Sequence, residues 1–244
     1  MTSPNFSFEN KIWSKGFKHI AGVDEVGRGC FAGPVVAAAV VFAPNYELRI
    51  MNNELGIRID DSKKLTSLQR EKAEKWIKEN AITWGIGEGS PSLINRMGMG
   101  KATKAAFRRA VKTASSKLKL QSSNLDYILL DAFFIPYLNG FPKGRVKIKG
   151  SKNPKFKNGA RQLAIIKGDE KSISIAAASI IAKVYRDKLM ISLSEKSKYK
   201  KYGWERNKGY GTKEHRRVIV KYGITGFHRN QFINTYLRKF NGAI

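Results

Sequence analysis

Four acidic side chains carry the chemistry that this sequence holds out most clearly. In AGVDEVGRGCFAGP (21–34), Asp24 and Glu25 stand side by side ahead of a glycine-rich turn. Asp131 closes the apolar run YILLD, and Asp169 follows LAIIKG. Acids are scarce: 46 Lys and Arg face 19 Asp and Glu, a formal net charge of +27. Between Glu88 and Asp169 only Asp126 and Asp131 are acidic. Three strand-like segments therefore each finish in a carboxylate. If those ends lie together, four carboxylates converge, and they repel one another unless cations sit among them. Hard oxygen donors favour Mg²⁺ or Mn²⁺, which keep waters and also take phosphate oxygens. Two such ions roughly 3.5–4 Å apart activate a water and stabilise the departing oxygen in phosphodiester hydrolysis. With a surplus of Lys and Arg to hold a polyanion, the set points to a metal-dependent nuclease. The competing reading pairs each acid with a neighbouring cation and leaves a non-catalytic nucleic-acid-binding protein, which the net charge alone would favour.

Other chemistries find little support. His19, His215 and His228 are too dispersed for a zinc site or a triad, and structural hydrogen bonds are expected of the last two. Ser179 lies among alanines with no GxSxG elbow, so packing is expected of it rather than nucleophilic attack.

These residues must be held by a scaffold. KHIAGVD (18–24) and VVAAAVVF (35–42) read as strands joined through FAGP, an expected hairpin. A helix is expected over 68–80 with Ser67 as its cap, then a strand over 81–89. Ser90 and Pro91 start a long helical stretch that runs through several glycines. Strands are expected over 125–131 and 161–169, a buried helix over 172–193, and shorter helices over 213–222 and 230–240. The order is that of a mixed α/β domain. Residues 89–125 and 132–168 hold no Asp or Glu, and 139–160 reads as a basic loop or hairpin insertion. The single cysteine, Cys30, permits no internal disulfide, and no apolar run reaches signal-peptide or membrane-span length. The expectation is a soluble, cytoplasmic protein with no membrane contact.

AGVDEVGRGCFAGPVVAAAVVF, DDSKKLT, ILLDAF, KGDEKSISIAAASIIAKVYRDKLM and NKGYGTKEH…YGITGFHR, in that order, resemble ribonuclease HII from about residue 18 to 232. The resemblance implies an RNase H-like fold, a mixed β-sheet flanked by helices with a C-terminal helical extension. It divides the chain into an N-terminal extension (1–17), a catalytic domain (18–195) and a helical substrate-binding extension (196–244). It implies hydrolysis of the RNA strand of RNA–DNA hybrids and nicking 5′ of single ribonucleotides in duplex DNA, with 3′-hydroxyl and 5′-phosphate products. Asp24, Glu25, Asp131 and Asp169 match the family's metal-binding catalytic carboxylates, for a two-metal Mg²⁺ or Mn²⁺ site. Gly27, Arg28 and Gly29 match the turn that reads the 2′-hydroxyl, and Tyr210 matches the tyrosine that stacks on the sugar. Lys63, Lys64 and Lys183 are expected to contact phosphates, with a salt bridge to Asp187 the alternative for Lys183. No protein partner is implied, and a monomer is expected. Two positions depart from the family pattern: Cys30 where proline is usual, and Ala132 where glycine is usual.

Overall fold

The apolar run VVAAAVV forms β2 (Val35–Val41), and all seven residues are buried. Alternation along a strand sends successive side chains to opposite faces, so a strand with no polar residue must be covered on both. A computed structural model of the chain describes residues 3–44, 56–121, 123–132, 135 and 161–241. Among them five strands form one sheet in the order β3-β2-β1-β4-β5, with β1 Ile20–Val26, β3 Thr83–Gly89, β4 Tyr127–Asp131 and β5 Gln162–Ile165. β1 pairs antiparallel with β2, and β2 with β3; β4 runs parallel to β1, and β5 to β4. The mixed sheet flanked by helices is the expected architecture.

Before the sheet lies α1 (Ser7–Trp13), in the segment expected as an N-terminal extension; Phe6 beside it packs into the core. The capped helix α2 (Ser67–Asn80) follows, with Thr66 rather than Ser67 as its cap: the Thr66 hydroxyl accepts from the Gln69 N–H, and the Gln69 side chain returns to the Thr66 N–H. The long helical stretch after Ser90 is two helices, α3 (Pro91–Met97) and α4 (Met99–Leu120), because Gly98 takes φ 81° and turns the chain between them. After β5 comes α5 (Ile173–Glu195), then α6 (Ser197–Lys200), α7 (Trp204–Asn207), α8 (Lys213–Tyr222) and α9 (Asn230–Asn241). The basic segment 139–160 lies outside the described residues.

Val35, Ala37, Ala39 and Val41 face α4, and Val36, Ala38 and Val40 face α5 and α2. The alanines Ala102, Ala106, Ala110 and Ala114 let α4 ride on the strand glycines: a Cβ at Gly87 would lie 2.2 Å from the Ala106 carbonyl oxygen. On the other face, a Cβ at Gly22 would lie 2.1 Å from the Ser174 backbone. That close approach brings the start of α5 onto β1, beside the carboxylates. A third cluster, with Tyr202, Trp204, Ile219 and Ile233, joins the C-terminal helices to Met190 and Leu193 of α5.

Candidate active site

Asp24 and Asp131 reach the same end of the sheet because β1 and β4 are parallel neighbours, with Val23 opposite Leu130. Asp24 and Glu25 lie within β1, which runs on to Val26. Asp131 is the last residue of β4. Asp169 is not at a strand end as expected: β5 stops at Ile165, and Asp169 sits on a short turn, Gly168–Glu170, that follows the left-handed Lys167. That turn is tied back to the sheet, since the Gly168 N–H donates to Asp131 Oδ1 at 2.8 Å.

The electrostatics show how these acids face one another. Burial, then the charges of Glu25 and Asp131, lift the proton affinity of Asp24 well above that of an ordinary aspartate. Burial likewise lifts Glu25 to about 7, with Asp131 adding to the shift and Arg28, whose Nη1 is 3.3 Å from Glu25 Oε1, opposing it. Asp131 is raised by burial and by Asp169 and Asp61. The four predicted carboxylates thus form a connected group of like charges. Asp24 is steadied by the Glu25 N–H at 2.7 Å and by the Ser179 hydroxyl, which also meets the Ser62 hydroxyl at 2.9 Å. Ser179 therefore positions a carboxylate rather than only filling space.

Besides Arg28, a lysine reaches the acids. Lys63 Nζ lies 3.1 Å from Asp169 Oδ2 and 3.5 Å from Asp61 Oδ1, and these partners raise its pKa against the effect of burial. Lys64 turns away to Asp60, at 3.3 Å. Lys183 pairs with Asp187 at 3.0 Å. Asp60 and Asp61 were not singled out from the sequence, although the doublet in DDSKKLT was a usable signal; both are buried. Among the described residues, no three His, Cys, Asp or Glu side chains form a ready enclosure for an ion. The donor set still suits a hard cation. Glu25 Oε2 is buried without a hydrogen-bond partner, and the neighbouring acids share excess negative charge that a cation would relieve.

The glycine-rich turn lies beside the acids. Gly27 takes φ 88°, and a Cβ there would fall 2.2 Å from Arg186 Nε, so only glycine suits the position. A Cβ on Gly29 would meet nothing within 4 Å, which leaves that backbone open to a close-approaching ligand. Tyr210 is 40% exposed, with Lys183 Nζ 5.8 Å and Arg186 Cζ 6.0 Å from its ring centre. Its loop docks on the turn: the Phe31 and Ala32 N–H groups donate to the Gly209 carbonyl at 2.8 and 3.1 Å.

Behind Tyr210 lies a buried histidine pair. Trp204 Nε1 can only donate, and it meets His215 Nε2 at 3.1 Å. The His215 proton therefore sits on Nδ1, which donates to the Tyr210 carbonyl at 2.9 Å. The Thr225 N–H donates to His228 Nδ1 at 2.9 Å, so the His228 proton sits on Nε2, facing His215 Nε2 at 3.3 Å. Burial lowers the pKa of both rings, and His228, facing His215, falls to about 4. Both are neutral structural histidines, as expected.

The sequence model of the family described as Ribonuclease HII matches residues 21–235. The chain is similar to a curated Ribonuclease HII of Clostridioides difficile (strain 630), at 40% identity over 230 residues, covering 94% of this chain and 76% of that protein. In fold it is similar to the ribonuclease H2 of Pyrococcus horikoshii OT3, with a TM-score of 0.62 and 24% identity over 91% of this chain and 99% of that one. It is also similar in fold to Bst-RNase HIII, solved in complex with Mn²⁺, with a TM-score of 0.64 and 21% identity over 90% of this chain and 68% of that one.

Proposed function

The chain belongs to the ribonuclease HII family and is a ribonuclease H enzyme, and from that premise we propose that it hydrolyses the RNA strand of RNA–DNA hybrids and nicks duplex DNA 5′ of single embedded ribonucleotides. The observation that carries the reading is the group of Asp24, Glu25, Asp131 and Asp169, each raised or bordered by another's charge, with one Glu25 oxygen buried and unpartnered. These four residues would hold Mg²⁺ or Mn²⁺ in a two-metal arrangement. Such ions lower the pKa of an attacking water and stabilise the departing 3′-oxygen, leaving 3′-hydroxyl and 5′-phosphate ends. Lys63 balances the acids before substrate arrives and is placed to meet a phosphate. Gly27, Arg28 and Gly29 form the turn that would read the 2′-hydroxyl, the group that separates RNA from DNA. Tyr210 offers an exposed ring for the sugar. The basic surplus holds the duplex, and no protein partner is needed for the chemistry. The reading places the enzyme as a monomer in the cytoplasm, in keeping with one buried thiol and, among the described residues, no helix long and apolar enough to cross a membrane.

The test is a labelled DNA duplex with one ribonucleotide beside an all-DNA duplex, each with Mg²⁺, Mn²⁺ or chelator. A metal-dependent nick 5′ of the ribonucleotide, with the all-DNA duplex intact, is expected. Binding without cleavage under every metal condition would overturn the reading.

A further inference from the structure

Two arginines, Arg186 and Arg229, are wholly buried, and their hydrogen bonds go to backbone carbonyls rather than to carboxylates. Arg229 donates from Nε to Gly33 and from Nη1 to Arg28 and Cys30, each at 2.9 Å. Arg186 donates from Nε to Pro34 at 3.0 Å, from Nη2 to Ala32 at 3.0 Å and from Nη1 to Lys208 at 2.9 Å. Five of these six carbonyls belong to the turn 28–34, and the sixth lies two residues before Tyr210. We propose that Arg186 and Arg229 are positioning residues for ribose recognition, locking the 27–29 turn and the Tyr210 loop into one frame before substrate binds. This rests on the function proposed above.

The physical case begins with cost. A buried guanidinium without a carboxylate is expensive unless its donors are met in good geometry; here Arg186 donates from all three nitrogens, and Arg229 from two, with its Nη2 alone left without a partner. The fork of Arg fixes directions as well as distances, so carbonyls that satisfy it are held in one arrangement. In a trans peptide the N–H points opposite the carbonyl. Drawing the Arg28 carbonyl inward to Arg229 therefore turns the Gly29 N–H to the other side, where the backbone is open. Drawing in the Cys30 carbonyl likewise turns the Phe31 N–H toward Gly209, whose carbonyl it reaches at 2.8 Å. Arg186 lies directly under Gly27 and also holds Lys208, so it bridges the turn and the tyrosine loop. His215 fixes the Tyr210 carbonyl from behind. A lysine in place of either arginine keeps the charge but offers a point donor, which cannot hold three divergent carbonyls.

The experiment measures nicking of the single-ribonucleotide duplex with Mg²⁺, and its inhibition by unlabelled all-DNA duplex, for the wild type, Arg229→Lys and Arg186→Lys. KM then reports ribose-dependent binding, and Ki of the competitor reports backbone binding alone. A misplaced turn should raise KM about tenfold toward an unchanged Ki, with kcat falling as well. A purely structural role would lower the active fraction, reducing kcat while leaving KM and Ki as they were, and that result overturns the proposal. Thermal melting checks that each variant folds. If a lysine variant does not fold, Arg229→Gln or Arg186→Gln, at the same arginine, takes its place, since its amide keeps one N–H donor group while the three-way fork is lost. A raised KM with an unchanged Ki is again expected, and wild-type KM in that variant overturns the proposal. Failure of the wild type to nick would instead sink the proposed function.

Discussion

Burial lifts the proton affinity of Asp24, Glu25 and Asp131, neighbouring acids add to each shift, and one Glu25 oxygen is buried with no partner. Around the neighbouring turn 28–34, Arg186 and Arg229 have six backbone carbonyls drawn to them, and His215 and His228 are neutral with their tautomers assigned by their partners. The first region is electrostatically incomplete in the bare chain; the second is nearly complete. The difference teaches where binding energy can go. Like charges held together are relieved by whatever cation enters, so the acids favour a metal-loaded state. A region in which only Arg229 Nη2 lacks a partner has little to reorganise, which suits reading a small group such as a hydroxyl.

The sharpest break in that contrast is Asp131→Asn. The amide keeps an acceptor for the Gly168 N–H but removes one of the clustered charges. Cleavage should fall by about 10³-fold or more, the several kcal/mol that metal-ion chemistry supplies. Affinity for uncleaved all-DNA duplex should hold or rise, because a charge facing phosphate is gone. Nicking rates and duplex Kd, measured together, check this, and near-normal cleavage would remove Asp131 from the set.

Acid separates the two regions by sign. Glu25, lifted to about 7 by burial, binds its proton more tightly folded than unfolded, so its contribution to stability grows as pH falls from 7 toward 4.5. His228, lowered to about 4 by burial, binds its proton more weakly folded, so its contribution shrinks as pH falls from 6.5 toward 4. Each gap is worth at most about 3 kcal/mol. In chelator these two changes oppose one another in the wild type. Glu25→Gln should therefore lose more stability than the wild type between pH 7 and 5, and His228→Asn should lose less. Denaturant midpoints across that range decide it, and parallel curves for all three proteins would contradict the contrast.

Legibility follows the same division. The carboxylates stood out because acids are rare in this chain and because apolar runs lead into them. Asp169 lies beside the other acids although not at the expected strand end, because β5 stops at Ile165, ahead of the left-handed Lys167. The arginine frame was not legible. Arg186 sits in VYRDK and Arg229 in FHRN, where a cation ordinarily reads as surface, and only the fold reveals that most of their partners are carbonyls far away in the chain, as for Arg229–Gly33 (196 residues) and Arg186–Pro34 (152 residues). Asp60 and Asp61 were overshadowed by the lysines beside them. The helix break at Gly98 was missed because apolar spacing continues across it.

Ala132 gives the smallest test, and it returns to the acidic region. The residue takes φ 52°, a left-handed conformation that glycine adopts freely and alanine does not, directly after Asp131. Its N–H is held by the Ile165 carbonyl at 2.9 Å, so β4 and β5 impose the conformation. Relieving the strain gains about 1–2 kcal/mol, while the added freedom of glycine in the unfolded chain costs about 0.5–1 kcal/mol. Strain wins by a small margin. Ala132→Gly should raise the melting temperature by about 1–3 °C. Because the backbone is already held where glycine would place it, the acids should not move, and kcat should stay within about twofold, well under 1.4 kcal/mol of barrier. A stabilised variant with markedly altered kcat would mean that the strain at Ala132 is transmitted to Asp131, and that the acidic region is tuned by its backbone as well as by its charges.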